Sequence, residues 1–248
     1  MITSANNTLI KKLKKLHQKK HRTKEGRFLV EGIHLVEEAL AADLHVEMLV
    51  KSEDAPWLPF DIGAQRVVEV KASIFEALSD TESPQGWLAV CLMSQQPKMG
   101  SGNVLLIDGI RDPGNMGTII RTAEAVGMSG IYVSPDTVDV YNGKVIRATQ
   151  GALFHIPIVA YDLEDAIRSL IEEGKVIYGT SMHAEASYMK AAPRESYALL
   201  LGNEAEGISP PLLRMVDKTV SIPIVGNAES LNVAVAAGVL MYGWLNHD

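Results

Sequence analysis

The chain has 248 residues, 47% of them apolar and 21% charged, and 23 Lys+Arg against 30 Asp+Glu give a net charge of −7. This composition excludes a disordered or fibrous chain and suits one large domain or two small ones, each able to bury a core. The acidic sum argues at first against a polyanionic partner. The distribution argues the other way: residues 1–30 hold nine basic residues and one acid, a local +8, which leaves −15 on residues 31–248. A single cysteine, Cys91, excludes an internal disulfide framework and points to a reducing, cytoplasmic compartment. The N-terminal charges are followed by no apolar run, so the start does not read as a secretory signal. The longest apolar stretch, Leu231–Leu245, contains Asn232 and falls short of the roughly 20 residues of a membrane span.

In chain order, Asn6–His21 reads as one basic amphipathic helix, with Leu9, Leu13 and Leu16 on one face and lysines around the rest. A strand at Phe28–Val30, a helix at Ile33–Ala42, strands near Val46–Val50 and Val67–Val70, a helix at Ala72–Ser79 and a strand at Trp87–Met93 follow. This alternation implies a small α/β sandwich. The stretch Ser94–Gly102, with its Gln, Pro and Gly residues, marks a boundary. We therefore expect domains at 1–95 and 103–248 joined by a linker at 96–102.

The second part alternates more strongly. Strands are expected at Val104–Ile107, Gly130–Val133, Ile156–Val159, Val176–Thr180 and Ala198–Leu201, and helices at Asn115–Val126, Leu163–Glu173 and Leu231–Leu245. Continuous apolar strands between helices indicate a mostly parallel sheet covered on both faces. Ligands of such sheets sit beyond the carboxyl ends of the strands, so three loops carry the interest. The first is Asp108-Gly-Ile-Arg-Asp-Pro-Gly-Asn115-Met-Gly117, leading into a helix that bears Arg121; the second is Gly202-Asn-Glu204-Ala-Glu-Gly207. The third runs from Ile222-Pro223 to Ser230-Leu231-Asn232-Val233. Taken singly, each is equally well a turn, a solvated acid or a helix cap.

Together, in this order and spacing, the three loops resemble the SpoU (TrmH-like) family of RNA 2′-O-ribose methyltransferases in the SPOUT superfamily. The match is to that family's Asn-x5-Arg, Gly-Asn-Glu-x-x-Gly and Ile-Pro…Ser-Leu-Asn-Val motifs. Over residues 1–95 the basic start followed by Arg27-Phe-Leu-Val-Glu-Gly32 is similar to the substrate-binding domain that often precedes the catalytic one, a small α/β fold like RNA-binding ribosomal proteins. The resemblance implies a parallel-sheet catalytic domain with a trefoil knot near the C-terminus, S-adenosylmethionine (SAM) as cofactor, a homodimer built on the C-terminal helix, and RNA as substrate. Large-subunit (23S) ribosomal RNA is the favoured target, with tRNA as the alternative.

The same resemblance implies site residues. Gly202, Ile222 and Leu231 would hold the cofactor, and Asn115, Arg121, Glu204, Ser230 and Asn232 would form the catalytic set. A guanidinium stays protonated, so the expectation for Arg121 is a clamp on the substrate phosphate that also stabilises the developing alkoxide, while a phosphate oxygen or water takes the proton. Lys11, Lys12, Lys14, Lys15 and Arg27 are the candidate RNA contacts. No metal site is expected: His17 and His21 have helical spacing but no cysteine or paired carboxylate beside them, and His155 and His183 are isolated. A rival reading is a noncatalytic RNA-binding or ribosome-assembly factor of the same fold. A dinucleotide-binding dehydrogenase fails for want of Gly-x-Gly-x-x-Gly after the first strand.

Overall fold

The structure, a computed structural model, describes residues 1–42, 44–94, 98–182, 184, 186–193 and 195–245. The middle of the expected boundary at 94–102, and His183, lie outside the described residues. The chain forms two compact units, Met1–Gln96 with Asp139–His155, and Pro97–Val138 with Ile156–Asp248.

The first unit opens with α1 (Thr8–Lys15) and α2 (Lys19–Glu25), where the lysine-rich pattern predicts one helix. The break has a local cause. Leu16, His17 and Gln18 make tight backbone bonds to Leu13, Lys14 and Lys15, Arg22 Nη1 donates to the freed Leu16 carbonyl at 2.8 Å, and His17 Nε2 donates to Leu78 O at 2.7 Å. The buried stripe is Ile10, Leu13 and Leu16, with Leu9 only partly covered.

Next come β1 (Arg27–Glu31), α3 (Ile33–Ala41), β2 (Val46–Ser52), β3 (Val67–Val70), α4 (Ala72–Leu78) and β4 (Trp87–Leu92). The sheet has the order β1-β4-β2-β3, with β4 antiparallel to β1 and β2 and β3 parallel to β2. Side chains alternate across it, as the two-residue period of a strand demands. Leu29, Met48, Val50, Leu88 and Val90 meet α1 and α4 on one face.

In the second unit β5 (Val104–Ile107), α5 (Pro113–Ala125) and β6 (Gly130–Val133) come first. The chain then enters the first unit as α6 (Gly143–Thr149) and a short 3-10 turn at Ala152–Phe154. The sequence reading assigns these residues to the second domain and predicts no helix there. What holds them is burial of Val140, Val145, Ile146, Ala152 and Leu153, packing of α6 on β1, a Phe28–Tyr141 ring pair at 4.6 Å, and an Arg22–Asp139 ion pair with Arg22 only 3% exposed.

The remaining elements are β7 (Ile158–Ala160), α7 (Leu163–Glu172), β8 (Val176–Thr180), β9 (Ala186–Ser187), β10 (Tyr197–Leu201), α8 (Pro210–Leu213), β11 (Lys218–Ser221) and α9 (Val233–Gly243). The sheet order is β7-β6-β5-β10-β8-β11-β9, and every pairing is parallel. All residues of β5 and β10 are buried, as expected of central strands covered on both faces. Leu163, Ile167 and Leu170 of α7 cover one face through Leu106, Ile177 and Leu200, and α5 and α9 pack against each other.

Two helix starts differ from expectation for reasons of capping. Asp112 accepts from Asn115 N at 2.7 Å and Pro113 fits the first turn, so α5 begins two residues before Asn115. Asn232 caps Ala234 N and Val235 N, so α9 begins at Val233 and Leu231 stays in the loop.

Candidate active site

Strands β5 and β10 are neighbours although far apart in sequence, with Ile107 opposite Leu201. The chain order of the sheet switches direction between them. Their carboxyl ends therefore hold the first and second loops side by side, the position where open parallel sheets bind ligands.

Several hydrogen bonds fix the two loops to each other. Asp108 N donates to Leu201 O at 2.9 Å, Ser209 N donates to the Asp108 carboxylate at 2.7 Å, and Asn203 Nδ2 donates to Gly109 O at 2.7 Å. Asn203 Oδ1 also accepts from Ala205 N and Glu206 N, closing the turn. At Gly202 a side chain has no room: a Cβ would lie 2.1 Å from Gly207 C and Ile208 N. Gly202, expected to hold the cofactor, lines the cleft and is also where the loop's own backbone makes its close approach.

The third loop joins through amides. Asn232 Nδ2 donates to Asn115 Oδ1 at 2.9 Å, and Asn115 Nδ2 donates to Glu204 Oε1 at 3.1 Å. One asparagine on the first turn of α5 thus links the second and third loops, with its donor and acceptor each matched to a complementary group. Gly202, Glu204, Ile222, Ser230, Leu231 and Asn232 line one cleft of about 960 Å³, within the usual range for small-molecule sites. Ser230 and Glu204 are exposed there. Arg121 stands exposed on α5 with no partner among the described residues, so its guanidinium is uncommitted.

In the first unit, Lys11, Lys12, Lys14 and Lys15 are all exposed on α1. Arg27 differs. It bonds Glu47 through Nε and Nη2 and Glu25 O through Nη1, and the hydrogen bond with Glu47 raises the arginine pKa and holds the carboxylate below its usual range. His17 is committed to Leu78 O, and among the described residues no group of three or more His, Cys, Asp or Glu is arranged to hold a metal ion. No helix, among the described residues, is long and apolar enough to cross a membrane.

Sequence reasoning missed Asp108 and Asn203. Asn203 had a signal, since an asparagine between glycine and a turn commonly bonds backbone two or three residues on. Asp108 had none, because its partner Ser209 lies 101 positions away.

Parallel sheet, switch-point cleft and amide-linked loops define an α/β domain with room for a nucleotide-sized ligand beyond its strand ends. Residues 102–242 match the SpoU rRNA Methylase family and residues 7–89 the MRM3-like substrate binding domain. The chain belongs to the SpoU rRNA methylase family. It is 44% identical over 242 residues, 97% of each chain, to the 23S rRNA (guanosine(2553)-2′-O)-methyltransferase RlmP of Bacillus subtilis (strain 168). The AdoMet-bound rRNA methyltransferase of Sinorhizobium meliloti superposes with a TM-score of 0.87 at 31% identity, covering 98% of this chain and 96% of that one. The SpoU methyltransferase AviRb of Streptomyces viridochromogenes, in complex with AdoMet, gives 0.87 at 27% identity and 97% of each chain.

Proposed function

We propose that the protein methylates a ribose 2′-oxygen of 23S ribosomal RNA with SAM as methyl donor. The observation that carries this reading is the Glu204–Asn115–Asn232 linkage at the cleft beside β5 and β10. It unites residues from all three motifs, and binding RNA alone would not call for it. The names of the relatives support the RNA class.

The cleft suits the cofactor chemically. Ile224 and Leu231 stay 38% exposed at its wall, apolar surface that an adenine ring would cover, and Gly202 and Ile222 offer main chain beside it. When bound, SAM supplies a methyl carbon made electrophilic by its sulfonium. The residues of this chain do the rest by holding and by charge. Arg121 clamps the substrate phosphate and offsets negative charge growing on the 2′-oxygen. Being a permanent cation, it does not accept the proton, which passes to a phosphate oxygen or water. Asn115 orients the ribose side of the site, Glu204 and Asn232 hold Asn115, and Ser230 positions substrate at the cleft mouth. Lys11, Lys12, Lys14 and Lys15 anchor RNA phosphates, whereas Arg27, tied to Glu47, contributes less.

The trefoil threading implied near the C-terminus belongs to this reading, as do a cytoplasmic location and a division into RNA-binding and catalytic domains. So does a homodimer: Val235, Tyr242 and Leu245 are 54%, 54% and 45% exposed on or just beyond α9, an apolar face that a second copy would bury. Mapping 2′-O-methylation in the rRNA and tRNA of a deletion strain tests the function. We expect one 23S rRNA site to lose its methyl group. A full set of methylated sites in the deletion strain would refute it, and absence of SAM binding by calorimetry would favour the noncatalytic rival.

A further inference from the structure

The loop between β2 and β3 carries Pro56-Trp57-Leu58-Pro59, and Trp57 is 66% exposed, whereas Trp87 and Trp244 are 0% and 5% exposed. An exposed indole forfeits the burial that normally stabilises tryptophan. This one is nevertheless held in place. Its ring lies against Trp87 at 5.8 Å and 54°, and Trp87 Nε1 donates to Pro56 O at 2.9 Å, pinning the preceding residue. The Lys51 ammonium sits 5.6 Å from the Trp57 ring centroid, itself fixed by Ser52 O at 3.0 Å and Glu69 at 3.3 Å. A fixed aromatic plane with one side open loses little entropy when a ligand lies on it.

The surroundings decide what that ligand is. Glu53, Asp54 and Asp61 are exposed on the same loop with Arg66, so the platform carries no excess of positive charge to hold a phosphate, and what it offers a ligand is the ring face. Among the described residues of this unit, Met1 is the only other large hydrophobic side chain with high exposure. The indole projects from a short proline-bounded turn, with Pro56 and Pro59 exposed and Leu58 and Phe60 half-buried beside it, and it is the large ring surface that this turn leaves open. A cation at the ring draws π density toward itself and favours an electron-rich ring against the open side.

We propose that Trp57 is a stacking platform for one unpaired base of the substrate RNA, with the lysines of α1 binding phosphate elsewhere on the unit. Single-stranded RNA is commonly read by bases laid on exposed aromatic side chains. The proposal rests on the reading of the protein as an RNA methyltransferase and adds a base-binding position to it.

The test is binding of a 23S rRNA transcript to the full chain at two salt concentrations. It compares wild type, Trp57→Ala, Trp57→Phe and a variant with Lys11, Lys12, Lys14 and Lys15 all changed to Ala, each checked for an unchanged melting curve. Stacking on one base predicts that Trp57→Ala weakens binding about 5- to 100-fold. Its salt slope stays that of wild type, Trp57→Phe recovers most of the loss, and RNA quenches the exposed tryptophan emission only where Trp57 is present. The lysine variant flattens the salt slope instead. Wild-type affinity in Trp57→Ala overturns the proposal and leaves the enzyme reading standing. Normal binding of naked transcript with failure on ribonucleoprotein particles assigns Trp57 to a protein partner and also overturns it. No RNA binding by wild type removes both readings.

Discussion

Replacing Gly202 with Ala separates a loop built by its own backbone crossing from one left open for a ligand. The added Cβ falls 2.1 Å from Gly207 C and Ile208 N and 2.4 Å from Gly207 O. Ordinary contact begins at 3.4 Å, so two backbone segments must part by about 1.3 Å, a shift that packed protein accommodates only with strain. That parting breaks the reciprocal bonds Asn203 N to Gly207 O at 2.9 Å and Gly207 N to Asn203 O at 3.0 Å. Two bonds at about 0.5–1.5 kcal/mol each and about 1–3 kcal/mol of overpacking give a loss of about 2–6 kcal/mol. For a chain of this size that lowers the melting temperature by about 5–20 °C. Gly207→Ala is the control: its φ is +71° and no atom lies within 4 Å, so only the left-handed backbone is penalised, at about 1–2 kcal/mol. Thermal unfolding by circular dichroism, with SAM affinity by calorimetry on whatever remains folded, reads both variants. A Gly202→Ala protein melting within about 2 °C of wild type and binding SAM normally would refute the crossing as the reason for glycine.

Two further outcomes rest on single side chains. Asn232→Asp keeps an acceptor for Ala234 N and Val235 N but loses the donor to Asn115; stability should change by under about 1 kcal/mol while turnover on rRNA falls at least about tenfold, and equal turnover would show that the amide link is dispensable. Burial in β4 pushes the Cys91 thiol up to about 12. It should resist a disulfide reagent at pH 8 until the protein unfolds, and the stability it contributes, complete below the unfolded thiol value, should be lost as pH rises toward 12. Rapid native labelling would contradict its burial.

How much of this was legible in the sequence depended on range. Val104–Ile107, Gly130–Val133 and Val176–Thr180 are strands at the residues expected, because a buried parallel strand writes itself as an unbroken apolar run. Strand β11, Lys-Thr-Val-Ser, buries only Val220 and had no such mark. Asn115, Glu204 and Asn232 were picked out by motif, yet their hydrogen bonds span 89 and 117 positions and no periodicity foretells them. The continuous N-terminal helix failed because its pattern is right for α1, while the break depends on the distant Leu78 carbonyl and on Arg22 turning back to Leu16.

The inclusion of residues 139–155 in the first unit has a consequence for how the protein is made. Residues 1–96 emerging from the ribosome have the four strands of their sheet but lack the segment that buries Val145, Ile146 and Leu153 beside β1 and the carboxylate that neutralises Arg22. The contacts that this segment makes can form only after residue 155 has been synthesised, by which time the residues of β5, α5 and β6 have been synthesised too. N-terminal domains usually fold first and alone. In this chain the two units are interleaved in sequence, and a cut at the apparent linker parts the first sheet from the residues 139–155 that pack on it.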